Sequence, residues 1–333
     1  MRRTTAVAAA VAHLVGPGSL KVINGHLAYS QTGQPALRLD PTALTAAYCY
    51  GEVSVTGPAL DLLFRNSIHT AWFTPGGTRC RGHLTRPDAR TTLTRVRQHR
   101  VFASAAPRLD WAKMIVIGKI DAMAAAARHQ QRHGTATAGP LLARLAELTG
   151  RVPTDASVEQ LLGVEGSASA AWFAFFATLV QPPWSFPGRN RRPPTDPLNA
   201  LLSLGYTWLL SRATARAEAR GYEIYVGGLH EYRAGRPSLA CDLIEPLRAP
   251  AVDRWVLAAC GRQELSPDHF RQEEGGGFRL QPRWFGRTLH GWETYWVNAR
   301  LEAELEGWLD RLGETIRRWD NATLDEETPP GDL

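Results

Sequence analysis

The residues best suited to chemistry gather in the stretch 229–248, LHEYRAGRPSLACDLIEPLR, where His230, Asp242 and Glu245 supply one imidazole and two carboxylates. Asp242 and Glu245 stand three apart, a spacing that places both on one face if the run is helical. His230 comes from a segment broken by Gly235 and Pro237. Such a set can coordinate a metal ion. It also reads as a loop histidine beside two solvated carboxylates, and the stretch taken alone favours this plainer reading. A further candidate, Glu165, lies in LLGVEGSASAAWFAFF, an apolar run rich in small residues where an unpaired carboxylate is expensive to bury. Joined to 229–248, it gives a mixed nitrogen and oxygen ligand set that, with water, suits Mg²⁺ or Mn²⁺ better than a closed zinc site. A salt bridge from Glu165 to one of the many arginines accounts for it equally well.

Other combinations carry less. His129 and His133 in HQQRH have helical i, i+4 spacing, but their neighbours Arg128 and Arg132 make a cationic environment hostile to a dication. Gly275-Gly276-Gly277 precedes no convincing helix and reads as a flexible loop. G-x-S-x-G, a Walker loop, a Rossmann glycine fingerprint and H-E-x-x-H are all missing, which removes most familiar hydrolases and nucleotide enzymes. Cys49, Cys80, Cys241 and Cys260 are scattered without a C-x-x-C pair, so the expectation is reduced thiols in a cytoplasmic protein. The formal charge of +6 is compatible with a polyanionic partner without establishing one. Positive charge is almost all arginine, since the lysines are Lys21, Lys113 and Lys119. Two arginine-rich connections, RPDAR (86–90) and FPGRNRRPPTDP (186–197), read as solvated loops unless a catalytic site lies beside them.

These candidates need elements to hold them. Up to about residue 90 the chain reads as β structure in short apolar runs. The arginines and apolar run of MRRTTAVAAAVAHLV superficially mimic a secretion signal, but they lead into Gly16-Pro17-Gly18 without a clean cleavage site, so a first strand is expected over Ala12–Val15. Asn24-Gly25 between two alternating segments predicts a hairpin with a type I′ turn, because both residues tolerate positive φ. PALDLLFRN predicts one short helix, with Thr56 as cap and Pro58 early in the helix. TRCRGHL predicts the last strand. Beyond Arg86-Pro87-Asp88 the texture becomes long Ala-, Leu- and Arg-rich segments with helical spacing. Helices are expected across 92–104, 109–134, 141–150, 157–180, 196–221, 242–260 and 293–319, punctuated at Pro107, Gly134 and Gly150. The whole predicts an α+β chain: a small β-sandwich-like domain over 1–90, an all-α catalytic domain over 91–320, and an acidic, disordered tail over 321–333. No apolar stretch is seen to approach the roughly 20 residues of a membrane span, and no membrane partner is expected.

Four motifs in order, LLGVEG, FPGRNRRPPTDPLNALLSLGY, GGLH and RPSLACDLIEPLR, resemble the CRISPR-associated integrase family, whose catalytic subunit inserts spacers into CRISPR arrays. The resemblance extends forward through LDWAKMIVIGKI and VTGPALDLLF and so spans nearly the whole chain. It implies Glu165, His230 and Glu245 as ligands of one catalytic Mg²⁺ or Mn²⁺, with Asp242 as the alternative at the last position. It implies a homodimer formed through the N-terminal regions, and a small ferredoxin-like CRISPR-associated partner protein. It also implies transesterification on double-stranded and branched DNA, with Arg189, Arg191, Arg192, Arg236 and Arg248 as phosphate contacts. The segment GYEIYVGG lacks a proline expected before His230, which touches partner docking and substrate choice. A branched-DNA nuclease of repair and a catalytically inactive DNA-binding scaffold are the alternative functions.

Overall fold

The structure is a computed structural model and describes residues 7–8, 11–84, 91–132, 134, 137–154, 157–190 and 193–327. The chain divides into two compact units, each discontinuous in sequence: 1–87 with 180–211 and 255–299, and 88–179 with 212–254 and 300–333.

The first unit begins with strands β1 (Val7–Ala8), β2 (Val11–Val15), β3 (Gly18–Ile23), β4 (His26–Ser30), β5 (Leu37–Leu39), β6 (Ala46–Tyr50) and β7 (Val53–Val55). Helix α1 (Gly57–Arg65) and strands β8 (His69–Phe73) and β9 (Cys80–Leu84) follow. They form a five-stranded sheet in the order β1-β2-β6-β8-β9 and a four-stranded sheet in the order β5-β4-β3-β7. Leu14 and Cys49 of the first sheet share one core with Leu20, Leu27 and Tyr29 of the second, closed by Ala59 and Leu63 of α1. This is the expected sandwich-like β region. The hairpin at Asn24-Gly25 is present: Ile23 pairs with His26, and the turn residues have φ of 51° and 77°. Thr56 precedes α1 but its hydroxyl oxygen accepts no capping hydrogen bond; its backbone N–H donates to Leu20 O at 3.0 Å. Helix α6 (Pro197–Ala219) begins in this unit, which also holds α8 (Arg254–Gly261), strands β10 (Phe270–Gln272) and β11 (Phe278–Leu280), and α9 (Pro282–Asn298). Gly275–Gly277 turns the β10–β11 hairpin, whose short strands the sequence patterning did not announce. Trp208, Trp255, Trp292 and Trp296 pack as one aromatic cluster, with Trp255 and Trp292 edge to face at 5.3 Å.

The second unit is helical: α2 (Thr92–Ala103), α3 (Ala105–Arg132), α4 (Gly139–Arg151), α5 (Val158–Leu179), the end of α6, α7 (Ser238–Ile244) and α10 (Leu301–Glu327). Pro107 lies inside the first turn of α3, where its missing N–H costs nothing, so it does not stop the helix as its sequence position suggested. Three expectations change. The run 242–260 is interrupted: α7 ends at Ile244, Pro246 cannot donate a backbone hydrogen bond, and a π-helical turn over Arg248–Asp253 precedes α8. The segment expected as one helix over 293–319 breaks at Arg300, which takes a positive φ of 54° between α9 and α10. The helix α10 runs through Glu327, into the stretch expected as a disordered tail; residues 328–333 lie outside the described residues.

Helix α5 is itself 22 residues long and apolar enough in composition to match a membrane span, contrary to the expectation of no such stretch. Its buried face, with Leu161, Val164, Ala168 and Trp172, packs against α3 and α4. The end of α6 and α10 are joined by an ion-pair ladder in which Arg212, Arg216 and Arg220 meet Glu302, Glu306 and Asp310. Helices α3 and α10 approach so closely at Gly118 that a Cβ there would stand 2.3 Å from the Trp308 ring. The substitution Gly118→Ala is therefore expected to lower stability by about 1–3 kcal/mol despite the better helix propensity of alanine, read as a reduced urea midpoint.

Candidate active site

Helix α3 carries Trp111, Ile115 and Lys119 at successive i, i+4 positions, so one buried face presents an indole and an ammonium. Glu165 lies on α5, four residues before Ser169, whose hydroxyl donates to Glu165 Oε1 at 2.9 Å. The loop Gly227-Gly228-Leu229-His230 and helix α7 complete the set.

Asp242 organises the loop. Its side chain is fully buried, and it accepts five hydrogen bonds. At Oδ2 these come from the backbone N–H groups of Gly228 (2.8 Å) and Leu229 (3.1 Å) and from Trp111 Nε1 (3.1 Å). At Oδ1 they come from the backbone N–H (2.9 Å) and Nδ1 (2.8 Å) of His230. The glycines of GGLH follow from this closeness. A Cβ on Gly227 would lie 2.8 Å from Asp242 Oδ2, and one on Gly228 would lie 2.6 Å from the Trp111 ring. Because the Asp242 carboxylate is an acceptor only, Nδ1 of His230 carries a proton toward it, so that whenever the ring is neutral Nε2 is the nitrogen with the lone pair.

Glu245 caps α7 one turn later and is almost fully buried. Oε2 accepts from Lys119 Nζ at 2.5 Å, and Oε1 pairs with Arg248 Nη2 at 2.9 Å. Burial by itself raises this carboxyl, but the charges of Arg248 and Lys119 outweigh burial and hold it at about 2, with His230 adding to the effect. The same Lys119 ammonium also donates to Glu165 Oε1. Glu165 and Glu245, far apart in sequence and on different elements, thus converge on one cation. Glu165 and His230 remain about one-fifth exposed and mark the open side.

The sequence candidates therefore separate. Glu165, Glu245 and His230 lie in one unit around Lys119 and Asp242. Asp242, the alternative ligand, has both oxygens engaged in holding His230 and its loop. Arg248 belongs to the site through Glu245. Arg236 donates to the Glu231 carbonyl. Arg189 is in the other unit, where it hydrogen-bonds Asn199 and Ser203 and lies over the Tyr206 ring. Arg191, Arg192, His133 and the connection 86–90 lie outside the described residues. Lys119 was not singled out by spacing. Its signal was compositional, a buried-face lysine in a chain that otherwise uses arginine.

Among the described residues, no three His, Cys, Asp or Glu side chains are grouped as a ready metal cage. The chemistry of the set nevertheless fits a hard divalent ion: two carboxylates already meet on a positive charge, and a neighbouring imidazole has its second nitrogen fixed by a carboxylate, the usual outer support of a metal-binding histidine.

The family model for CRISPR associated protein Cas1 matches residues 13–294. The chain belongs to the Cas1 family. A Cas1 relative from Thermus thermophilus, named a CRISPR-associated endonuclease, is 33% identical over 291 residues, covering 87% of this chain and 83% of that protein. A Cas1 protein from Thermotoga maritima is similar in fold, with a TM-score of 0.81 at 20% identity over 93% of this chain and 97% of its own. A casposase bound to an integration product has a TM-score of 0.72 at 20% identity, covering 86% of this chain and 82% of its own.

Two outcomes separate the acids of this Cas1 chain. Asp242→Ala is expected to cost roughly 3 kcal/mol or more in urea unfolding, because several buried donors lose their acceptor at about 1–3 kcal/mol each. Glu245 titrates lower in the folded than in the unfolded chain, so its contribution to stability is complete above about pH 4.5 and is lost as the pH falls through about 2. Acid titrations of unfolding are expected to show this loss in the wild type and not in Glu245→Gln.

Proposed function

We propose that this Cas1-family chain is a divalent-metal-dependent DNA integrase and endonuclease of CRISPR adaptation, joining the 3′-hydroxyl ends of foreign DNA fragments to a repeat array by transesterification. The observation that carries the reading is the convergence of Glu165 and Glu245 on a single cation beside an imidazole fixed by Asp242. The casposase of similar fold, bound to an integration product, supports strand joining over purely hydrolytic repair.

Glu165, Glu245 and Nε2 of His230 are the residues that would hold Mg²⁺ or Mn²⁺. When bound, the ion supplies charge for the phosphoryl oxygens and for the ionised attacking hydroxyl. The protein's own part is positional. Asp242 sets the His230 ring and its tautomer, Ser169 orients Glu165, and Arg248 keeps Glu245 ionised inside the fold. In the exchange one P–O bond forms to the incoming 3′-oxygen and one breaks to the leaving 3′-oxygen, so the number of phosphodiesters is conserved and no covalent enzyme intermediate is required. Water in place of the 3′-hydroxyl gives cleavage at the same site. The N-terminal β region is proposed as the homodimer surface, and the small CRISPR-associated protein as the partner that spans the DNA.

The test is Mn²⁺-dependent joining of a 3′-hydroxyl DNA fragment to a repeat-containing plasmid. Glu165→Gln and His230→Ala are expected to lower joining by about a hundredfold or more, the scale of losing one electrostatic group at a reacting phosphate, with both variants still folded at the assay temperature by circular dichroism. Full joining by both variants overturns the proposal, and cutting without joining by the wild type favours the repair nuclease.

A further inference from the structure

Lys119 is the least expected member of the site. Its side chain is 4% exposed, and burying an ammonium is tolerated only against compensating charge. That charge comes from Glu165 and Glu245, the two carboxylates assigned above to a divalent ion. With Arg248 on the far oxygen of Glu245, the carboxylates of Glu165 and Glu245 are already matched by two positive groups. A dication added between the same carboxylates would face the ammonium across a few ångströms of poorly screened space. That repulsion disfavours both cations staying.

The residue type points the same way. Arginine would hold two carboxylates through its planar fork and resist displacement, whereas a lysine offers a single point charge on a flexible four-carbon stem. This chain uses arginine almost everywhere else, with only Lys21 and Lys113 besides Lys119. The half-open side of the pair is that of Glu165, whose side chain is 21% exposed, against 4% for Glu245.

We infer that Lys119 is an internal counter-ion of the site: its ammonium holds Glu165 and Glu245 together in the metal-free protein, and a divalent cation binds by displacing it. This rests on the metal-dependent reading of the site. Lys119 is a positioning residue in this account, acting through the two carboxylates.

Three measurements test it, none of them dependent on turnover. Lys119→Met keeps the length of the side chain and removes the charge. Without metal it is expected to melt at a lower temperature than the wild type, to bind Mn²⁺ about tenfold or more tightly by calorimetry, and to gain more thermal stability from Mn²⁺. In the wild-type protein, acylation of lysines followed by mass spectrometry is expected to show Lys119 shielded without metal and several-fold more reactive in saturating Mg²⁺, with Lys21 and Lys113 unchanged. The labelling experiment decides the matter even if Lys119→Met fails to fold. Equal or weaker Mn²⁺ binding by Lys119→Met, or unchanged labelling of Lys119 at saturating Mg²⁺, overturns the inference while leaving a metal-binding wild type intact. Absence of Mn²⁺ binding in both proteins overturns the inference and the metal-dependent reading together.

Discussion

The candidate site depends on the burial of the Asp242 carboxylate. A fully buried charge is unstable unless every lone-pair direction is answered, and here three backbone N–H groups, an indole and an imidazole answer it. Those donors cannot be supplied without bending the chain at Gly227 and Gly228 around the acid and against Trp111. Loop path, ring orientation of His230 and placement of α7 are thus consequences of one requirement for satisfied hydrogen bonds. Glu245 then falls one turn farther along the same element, and Pro246 ends the helix just beyond it.

Much of this architecture was legible in the chain. The Asn24-Gly25 hairpin, α1 and the change from β to helical texture followed from local turn chemistry and periodicity, which act over a few residues. The breaks at Pro246 and Arg300 were harder to read, because the apolar spacing continues across them. A helix pattern persists on both sides of Arg300, and only a backbone placed in the left-handed region reveals that it turns. The short β10–β11 strands carried too few residues for an alternation to emerge.

For the site, residue type and spacing brought out His230, Asp242, Glu245 and Glu165, but they could not assign roles to the two acids of α7. That distinction lies in which donors surround each carboxylate, a property of elements distant in sequence. The same limit applies to Lys119, whose partners sit on α5 and at the end of α7. Arg189 and Arg236 make bonds that brace their own loops, so a count of guanidiniums near a motif says little about how many face a ligand.

The arginine ladder between α6 and α10 has a periodic character that limits what it can specify. Its partners recur every four residues on both helices, and Glu314 continues the acidic row beyond Asp310. Sliding α10 by one turn would exchange old ion pairs for nearly equivalent new ones, so charge sets which faces meet but is almost indifferent to where along the axis they meet. A vernier of this kind needs a separate stop. Gly118 provides one, since the notch left by its missing side chain receives the Trp308 ring, and a one-turn slip would replace that ring by Glu304 or Leu312. The alignment of the helix behind the site thus rests in part on an absent methyl group on α3, adjacent in the chain to Lys119.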